Sequence, residues 1–409
     1  MSALRPVLTG RGAGPPTPDV RLGRRERTLV GLAWGALLLN VLTYADTATV
    51  VPLPTLVGSA LTQGAVLVAL LLALVVNPGG VVRPQVFLLL LTVLAIGASA
   101  ASLYSEFFLS ATFRAGRMVL FVAVLWLLST WFGRRDMLLL RLHRTALAVV
   151  MATVYLGALV APGLAFAFQD RLAGVIWPIP PTQVAHYAAV LLGTSLLLWM
   201  CRLVGGLRAG LMVLLSLLPL VATHTRTAVI GVLLGMVVAS LSLLLGHVRV
   251  RRTLLVAGGG GAIAAALFIS PLTVWLLRGQ SADEANKLTG RTDVWSAVAD
   301  LERPWIEDLF GWGLSDQSFG GLPIDSSWVA TYVDQGWLGV GVQAAVLLLL
   351  LLMAVVHRPG PERAIALFLV VYCMVASVTE TGLGAPSVYL LDLAVAASLL
   401  TTGWRARQP

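Results

Sequence analysis

Twelve apolar runs, most of them close to the 17–25 residues with which a helix crosses a bilayer, divide this chain from end to end. They fall near 28–44, 58–77, 85–103, 113–132, 142–162, 183–201, 207–223, 227–245, 253–270, 326–356, 362–379 and 385–402. A soluble fold cannot hide so many segments, because helices around a water-soluble core keep one polar face. Charged residues make up 11% of the 409, against roughly 25% in an ordinary soluble domain. The pattern predicts an all-α integral membrane protein of about 12 transmembrane helices.

The runs set the domain boundaries. A basic tail at 1–27, rich in Gly, Pro and Arg, reads as disordered and leads into an uncleaved signal-anchor. Helices 1–9 occupy 28–270, a polar loop 271–325, helices 10–12 residues 326–402, and a second tail 403–409. The loop holds nine of the chain's 19 acidic residues.

Orientation follows from arginine, since positively charged short loops stay on the cytoplasmic side. With both termini cytoplasmic, 20 of the 28 basic residues lie inside. The other eight are Arg114, Arg117, Arg171, Arg226, Arg278, Lys287, Arg291 and Arg303, at or near the outer boundary. The net charge of +9 is then a topology signal and an attraction to anionic lipid. No nucleic-acid partner is expected. Cys201 and Cys373 lie within runs, without the spacing of a disulfide framework or metal site. The sequence carries no P-loop, no Ser-His-Asp elbow and no GxGxxG between strand and helix.

The candidates for chemistry are the polar residues that remain at the outer ends of spans. Arg226, in THTRTAVIG, occupies an apolar setting that is costly unless an anion is near. Arg114 and Arg117, three apart, share one helical face and offer two fixed cations. Guanidinium suits phosphate because its planar fork makes bidentate, charge-assisted bonds and stays protonated. Asp325 opens the tenth span, where it serves as a general base or caps the helix. His186 and Tyr187 open the sixth, and Asp334 and Glu380 sit in or beside spans. Thr292 and Asp293 suit a helix start. Val294, Trp295, Val298 and Leu301 form one apolar face of that helix, predicted to lie on the outer membrane surface and to end near Pro304. Trp177, before a Pro-rich turn, suits an interfacial anchor.

Three stretches, THTRTAVIG, GRTDVWSAVADLERPWIEDLFGWG and DSSWVATYVDQGWLG, resemble the signature region of the O-antigen ligase and O-antigen polymerase superfamily of membrane glycosyltransferases. The match covers roughly residues 220–345 and the topology. Arg226, Arg291, Asp325-Ser326 and Asp334-Gln-Gly336-Trp-Leu-Gly339 fill the family's positions, although the ligase branch has His where this chain has Asp325. The resemblance implies transfer of a glycan from a polyprenyl-pyrophosphate donor to an acceptor hydroxyl on a glycan or lipid-glycan. The reaction takes place at the outer face of the cytoplasmic membrane and needs no cofactor or metal. Arg226, Arg291 and Asp325 become the expected catalytic residues, and Arg114, Arg117, His186, Tyr187, Trp328 and Asp316 the expected substrate contacts. Membrane lipid and envelope-assembly proteins are the further expected partners. The competing expectation is a twelve-span transporter or lipid-linked glycan flippase, against which stands the placement of the large loop after helix 9 in a chain without internal repeats.

Overall fold

The computed structural model describes residues 23–42, 49–50, 52, 54–244, 250–253, 256 and 291–401. The expected disorder of residues 1–22, most of the ninth span, residues 271–290 of the loop and the C-terminal tail from 402 lie outside the described residues. About 75% of the described residues are helical, and the only strands among them are a two-residue pair.

The helices follow the apolar runs: α1 (Arg24–Val41), α2 (Thr55–Val76), α3 (Val86–Leu103), α4 (Phe108–Leu128), α5 (Leu138–Val160), the short α6 (Pro162–Ala165), α7 (Pro181–Met200), α8 (Gly206–Ala222) and α9 (Arg226–Leu243). After the undescribed stretch come α10 (Arg291–Ala299), α11 (Trp305–Phe310), β1 (Ser318–Phe319), β2 (Leu322–Pro323), α12 (Ser327–Val356), α13 (Pro361–Thr379) and α14 (Val388–Leu400). Eight described helices are long and apolar enough to cross a membrane. The sites of expected spans one, seven and twelve are also helical. However, α1 carries four charges in its first turn, and α8 and α14 have only 17 and 13 residues.

α7 and α13 are the most enclosed spans, and every residue of α14 is buried. The lipid-facing helices wrap around these three, burying apolar side chains against one another because lipid offers no better partner for small, closely fitting residues. Gly193 of α7 meets the Phe368 ring of α13 so closely that a Cβ would overlap it.

The two ends of the bundle differ chemically. At one end Arg27 and Arg134 pair with Asp136, Trp131 donates to Glu26, Arg83 donates to the Phe132 carbonyl, and Gln85 bonds Thr401. At the other end the α5–α7 connection docks on the α8–α9 turn through Leu172 N–H to the Ala222 carbonyl (3.0 Å), and α12 begins beside the α13–α14 turn.

That second end depends on a break in α12. Gly336 takes φ 62° and ψ −164°, a conformation without penalty only for glycine, and a Cβ there would collide with the Leu309 and Asp308 backbone of α11. The kink frees the Val333 and Asp334 carbonyls, which accept from Trp312 N–H (3.0 Å) and Gly313 N–H (2.9 Å). Irregular backbone at the edge of a membrane domain needs such replacement bonds.

α10 corrects the expected surface helix. It ends at Ala299, and Val294 and Val298 face the protein, packing with Ile324, Ala330 and Val333. α11 is the segment that presents exposed apolar side chains, Trp305, Ile306, Leu309 and Phe310, with Trp337 on the neighbouring turn of α12. An amphipathic face names a buried side but not whether protein or lipid covers it.

Candidate functional site

Arg291 is the first residue of α10, and its Nε donates to Asp325 Oδ2 at 3.0 Å. Asp325 does not cap α12, whose N-cap is Ser326 with no capping side-chain bond. Next to it Ser327 Oγ donates to the Glu380 carbonyl (2.8 Å) and accepts from Leu383 N–H (3.3 Å), fixing the start of α12 to the turn after α13. Trp328 adds a second fastening, its Nε1 donating to Ser377 Oγ at 3.1 Å. Glu380 is thereby placed among Arg291, Asp325 and Arg171, all close enough to act on its charge.

Arg171 enters from the α5–α7 connection. Its side chain is buried, with Nε donating to the Thr223 carbonyl (2.8 Å) and Nη2 to Thr225 Oγ1 (3.1 Å). Those bonds set the turn from which Arg226 opens α9, and Thr227 bonds Thr379 at 2.6 Å, one residue before Glu380. Arg171 and Arg291, from two separate segments, therefore flank Glu380, Arg291 also holding Asp325, and the turn that carries Arg226 is fastened next to them.

The electrostatics follow from this crowding. Burial pushes Glu380 up from 4.5 to about 7; Arg291 and Arg171 pull it down, and Asp325 pushes it further up. Burial lowers Arg171, Glu380 opposes that, and Arg291 adds to it. Glu380 is therefore the carboxyl group poised to exchange a proton near neutrality.

Beside this group lies a polar cavity of about 390 Å³. Thr381 and Gly382, directly after Glu380, form part of its wall. Arg114, Arg117, Asp316 and Asp334 line it too. Asp334 accepts from Ser315 N–H (3.1 Å). Asp316 accepts from the Ser318 hydroxyl (2.7 Å), which holds its carboxyl below the usual range.

The structure thus brings together Arg291, Asp325 and the Arg226 turn, and separately places Arg114, Arg117 and Asp316 in one cavity. His186 and Tyr187 depart from the expected substrate contacts: both are buried in α7 and neither lines the cavity. His186 Nε2 lies 2.8 Å from Asp392 Oδ2, while His143 Nε2 lies 2.7 Å from Oδ1 of the same carboxylate. Trp34 Nε1 donates to His143 Nδ1 at 3.3 Å. This His-Asp-His group joins α5, α7 and α14, and buried ionisable groups in apolar surroundings need such mutual partners. The two residues reach the cavity only indirectly: Tyr187 donates to Gln183 (2.9 Å), and the His186 ring lies 4.2 Å from that of Tyr389, both partners being wall residues. Trp328 is likewise a fastening between α12 and α13, outside the cavity wall.

Sequence reasoning missed Arg171 and gave Glu380, a candidate for lining a cavity, no catalytic role. Arg171 had one signal, its position among the eight basic residues outside the cytoplasmic loops. Among the described residues no group of three His, Cys, Asp or Glu is arranged to hold a metal ion. Compared with known proteins, the chain matches no family model and no curated protein.

Proposed function

We propose that this protein is a membrane glycosyltransferase that moves a glycan from a polyprenyl-pyrophosphate donor to an acceptor hydroxyl at the outer face of the cytoplasmic membrane, in a twelve-span topology with both termini cytoplasmic. One observation carries the reading: Arg171, Arg291 and the Arg226 turn converge with Asp325 and Glu380 at the end of an apolar bundle, next to a polar cavity. Several arginines at a membrane boundary suit a ligand with a multiply charged head and an apolar tail.

In this reaction the bond from the sugar C1 to the pyrophosphate oxygen breaks as the acceptor oxygen bonds to C1, with inversion. Negative charge grows on the leaving pyrophosphate, where Arg226, Arg291 and Arg171 stabilise it from fixed positions. Asp325 holds Arg291 in its orientation through the 3.0 Å bond. Glu380, ionising near pH 7, accepts the acceptor's hydroxyl proton.

The test is substitution of Arg226 or Arg291 by Ala, followed by assay of glycan transfer in membranes. Loss of transfer at unchanged protein level is expected; full activity of both variants removes the pyrophosphate roles. A transporter or flippase would instead move the lipid-linked glycan without forming a glycosidic bond.

A further inference from the structure

The cavity beside the arginine cluster has a chemistry of its own. Amide side chains of Asn40, Gln63, Gln183 and Gln317 reach its wall from four different segments, and Tyr389 supplies an aromatic face. Amides offer both donors and acceptors, the complement of sugar hydroxyls, and 390 Å³ lies within the range of about 300–1,000 Å³ typical of ligand-binding clefts and cavities.

Two atoms there are unsatisfied. Asn40 is buried and its Nδ2 donates to the Thr62 carbonyl (2.9 Å), yet its Oδ1 accepts from nothing among the described residues. Arg117 Nε, buried as an atom, likewise has no hydrogen-bond partner among them. A buried polar atom without a partner costs about 1–3 kcal/mol, and more when the group is charged.

The charges are placed unevenly. Arg114 faces Asp316 and Asp334, whereas the charged neighbour of Arg117 is Arg114 itself. Asp334 is taken up by Ser315 and Asp316 by Ser318, and neither arginine forms an ion pair with them among the described residues. A ligand that fills this space must supply hydroxyl donors toward Asn40 and an anionic oxygen toward Arg117.

We infer that the cavity is a glycan-binding subsite selective for a sugar bearing a negative charge, a carboxylate or a phosphate ester, seated against Arg117 and Arg114 with a hydroxyl on Asn40. Its role as the acceptor side rests on the transferase reading above; its preference for acidic sugar does not.

The experiment measures binding of soluble disaccharides to the purified full chain in nanodiscs of uncharged lipid. The probes are a glucuronosyl disaccharide, its neutral glucosyl counterpart and a glucosyl disaccharide phosphorylated on one ring. The acidic probes should bind tighter than the neutral one by about tenfold to a hundredfold, the worth of one charge-assisted hydrogen bond. Whichever acidic probe binds tighter identifies the group as carboxylate or phosphate. Arg117→Gln should erase the preference and keep the neutral affinity, Arg117→Lys should restore part of it, and Asn40→Leu should weaken all three probes. Arg291→Gln should leave the preference intact.

Equal affinity for neutral and acidic probes, no binding by protein that retains its melting transition, or a preference that survives Arg117→Gln would overturn the inference. Arg117-dependent selectivity in a protein that forms no glycosidic bond would sink the transferase and spare the cavity assignment. Transfer onto acidic acceptors that is untouched by Arg117→Gln would do the reverse.

Discussion

Replacing Glu380 by Gln tests the site through its proton. Burial, with Asp325 opposing and two arginines helping ionisation, raises this carboxyl from 4.5 to about 7. The folded protein therefore binds a proton that the unfolded chain has already lost between those two values. Stability is complete below about pH 4.5, falls as pH rises toward 7, and levels off above it. A gap of that size corresponds to about 3 kcal/mol, reduced to roughly 2 kcal/mol for a group that keeps some contact with solvent. Glu380→Gln fixes the neutral form, so at pH 8 the variant should be the more stable by about 2 kcal/mol, while at pH 4 the two should coincide. Scanning fluorimetry of tryptophan emission in nanodiscs across pH 4–9 reads this as a slope present in the wild type and lost in the variant. Transfer should move oppositely: the wild-type rate climbs with an apparent pKa near 7, and Glu380→Gln loses the rate while donor binding persists. A stability slope that persists in Glu380→Gln, or a variant with the wild-type rate profile, would refute both the electrostatic and the catalytic reasoning.

Four further outcomes are expected. Asp325→Asn should change stability by no more than about 1 kcal/mol, as befits a pair whose side chains keep 23% and 38% of their exposure, yet reduce transfer strongly; urea titration and product assay separate the two. Arg171→Ala should lower stability by about 2–4 kcal/mol, because the buried guanidinium bonds a carbonyl and a hydroxyl, which a melting curve detects. Asp392→Asn disrupts the carboxyl group shared by two buried histidines and should cost about 1–3 kcal/mol, seen as poor yield in detergent and a lowered melting transition. Gly336→Ala forces a side chain into the Leu309 backbone at a positive φ, and its destabilisation of α11 should appear as faster hydrogen exchange over residues 305–313.

The helices were legible wherever apolar length alone decides structure, as in α2, α3, α7 and α12, whose bounds follow the runs within a few residues. The pairing of Arg291 with Asp325 was expected only through the resemblance, since Arg291 lies well inside the 271–325 loop and nothing in its local sequence points to Asp325. What stayed hidden depends on tertiary neighbours. His186 on an apolar helix does not announce that its partner is Asp392, 206 positions away in the chain. Val294 and Val298 mark a buried face of α10 equally well against lipid or against Ile324. Arg171 drew no role from the sequence because its value comes from the Thr223 carbonyl and Thr225, more than 50 residues away. Gly336 follows Asp334-Gln335 within the run at 326–356, and only the approach of α11 explains its left-handed backbone.

Glycan transfer from a pyrophosphate carrier is the reaction proposed for the arginine and carboxylate cluster. Its most direct test is incubation of the purified protein, in lipid, with a polyprenyl-pyrophosphate oligosaccharide from its own host and a lipid-linked acceptor, followed by mass analysis of the products. Longer glycan together with free polyprenyl pyrophosphate is expected, both absent with Arg291→Ala. An intact donor in the presence of folded protein and acceptor, or product formation undiminished in Arg291→Ala, would contradict it.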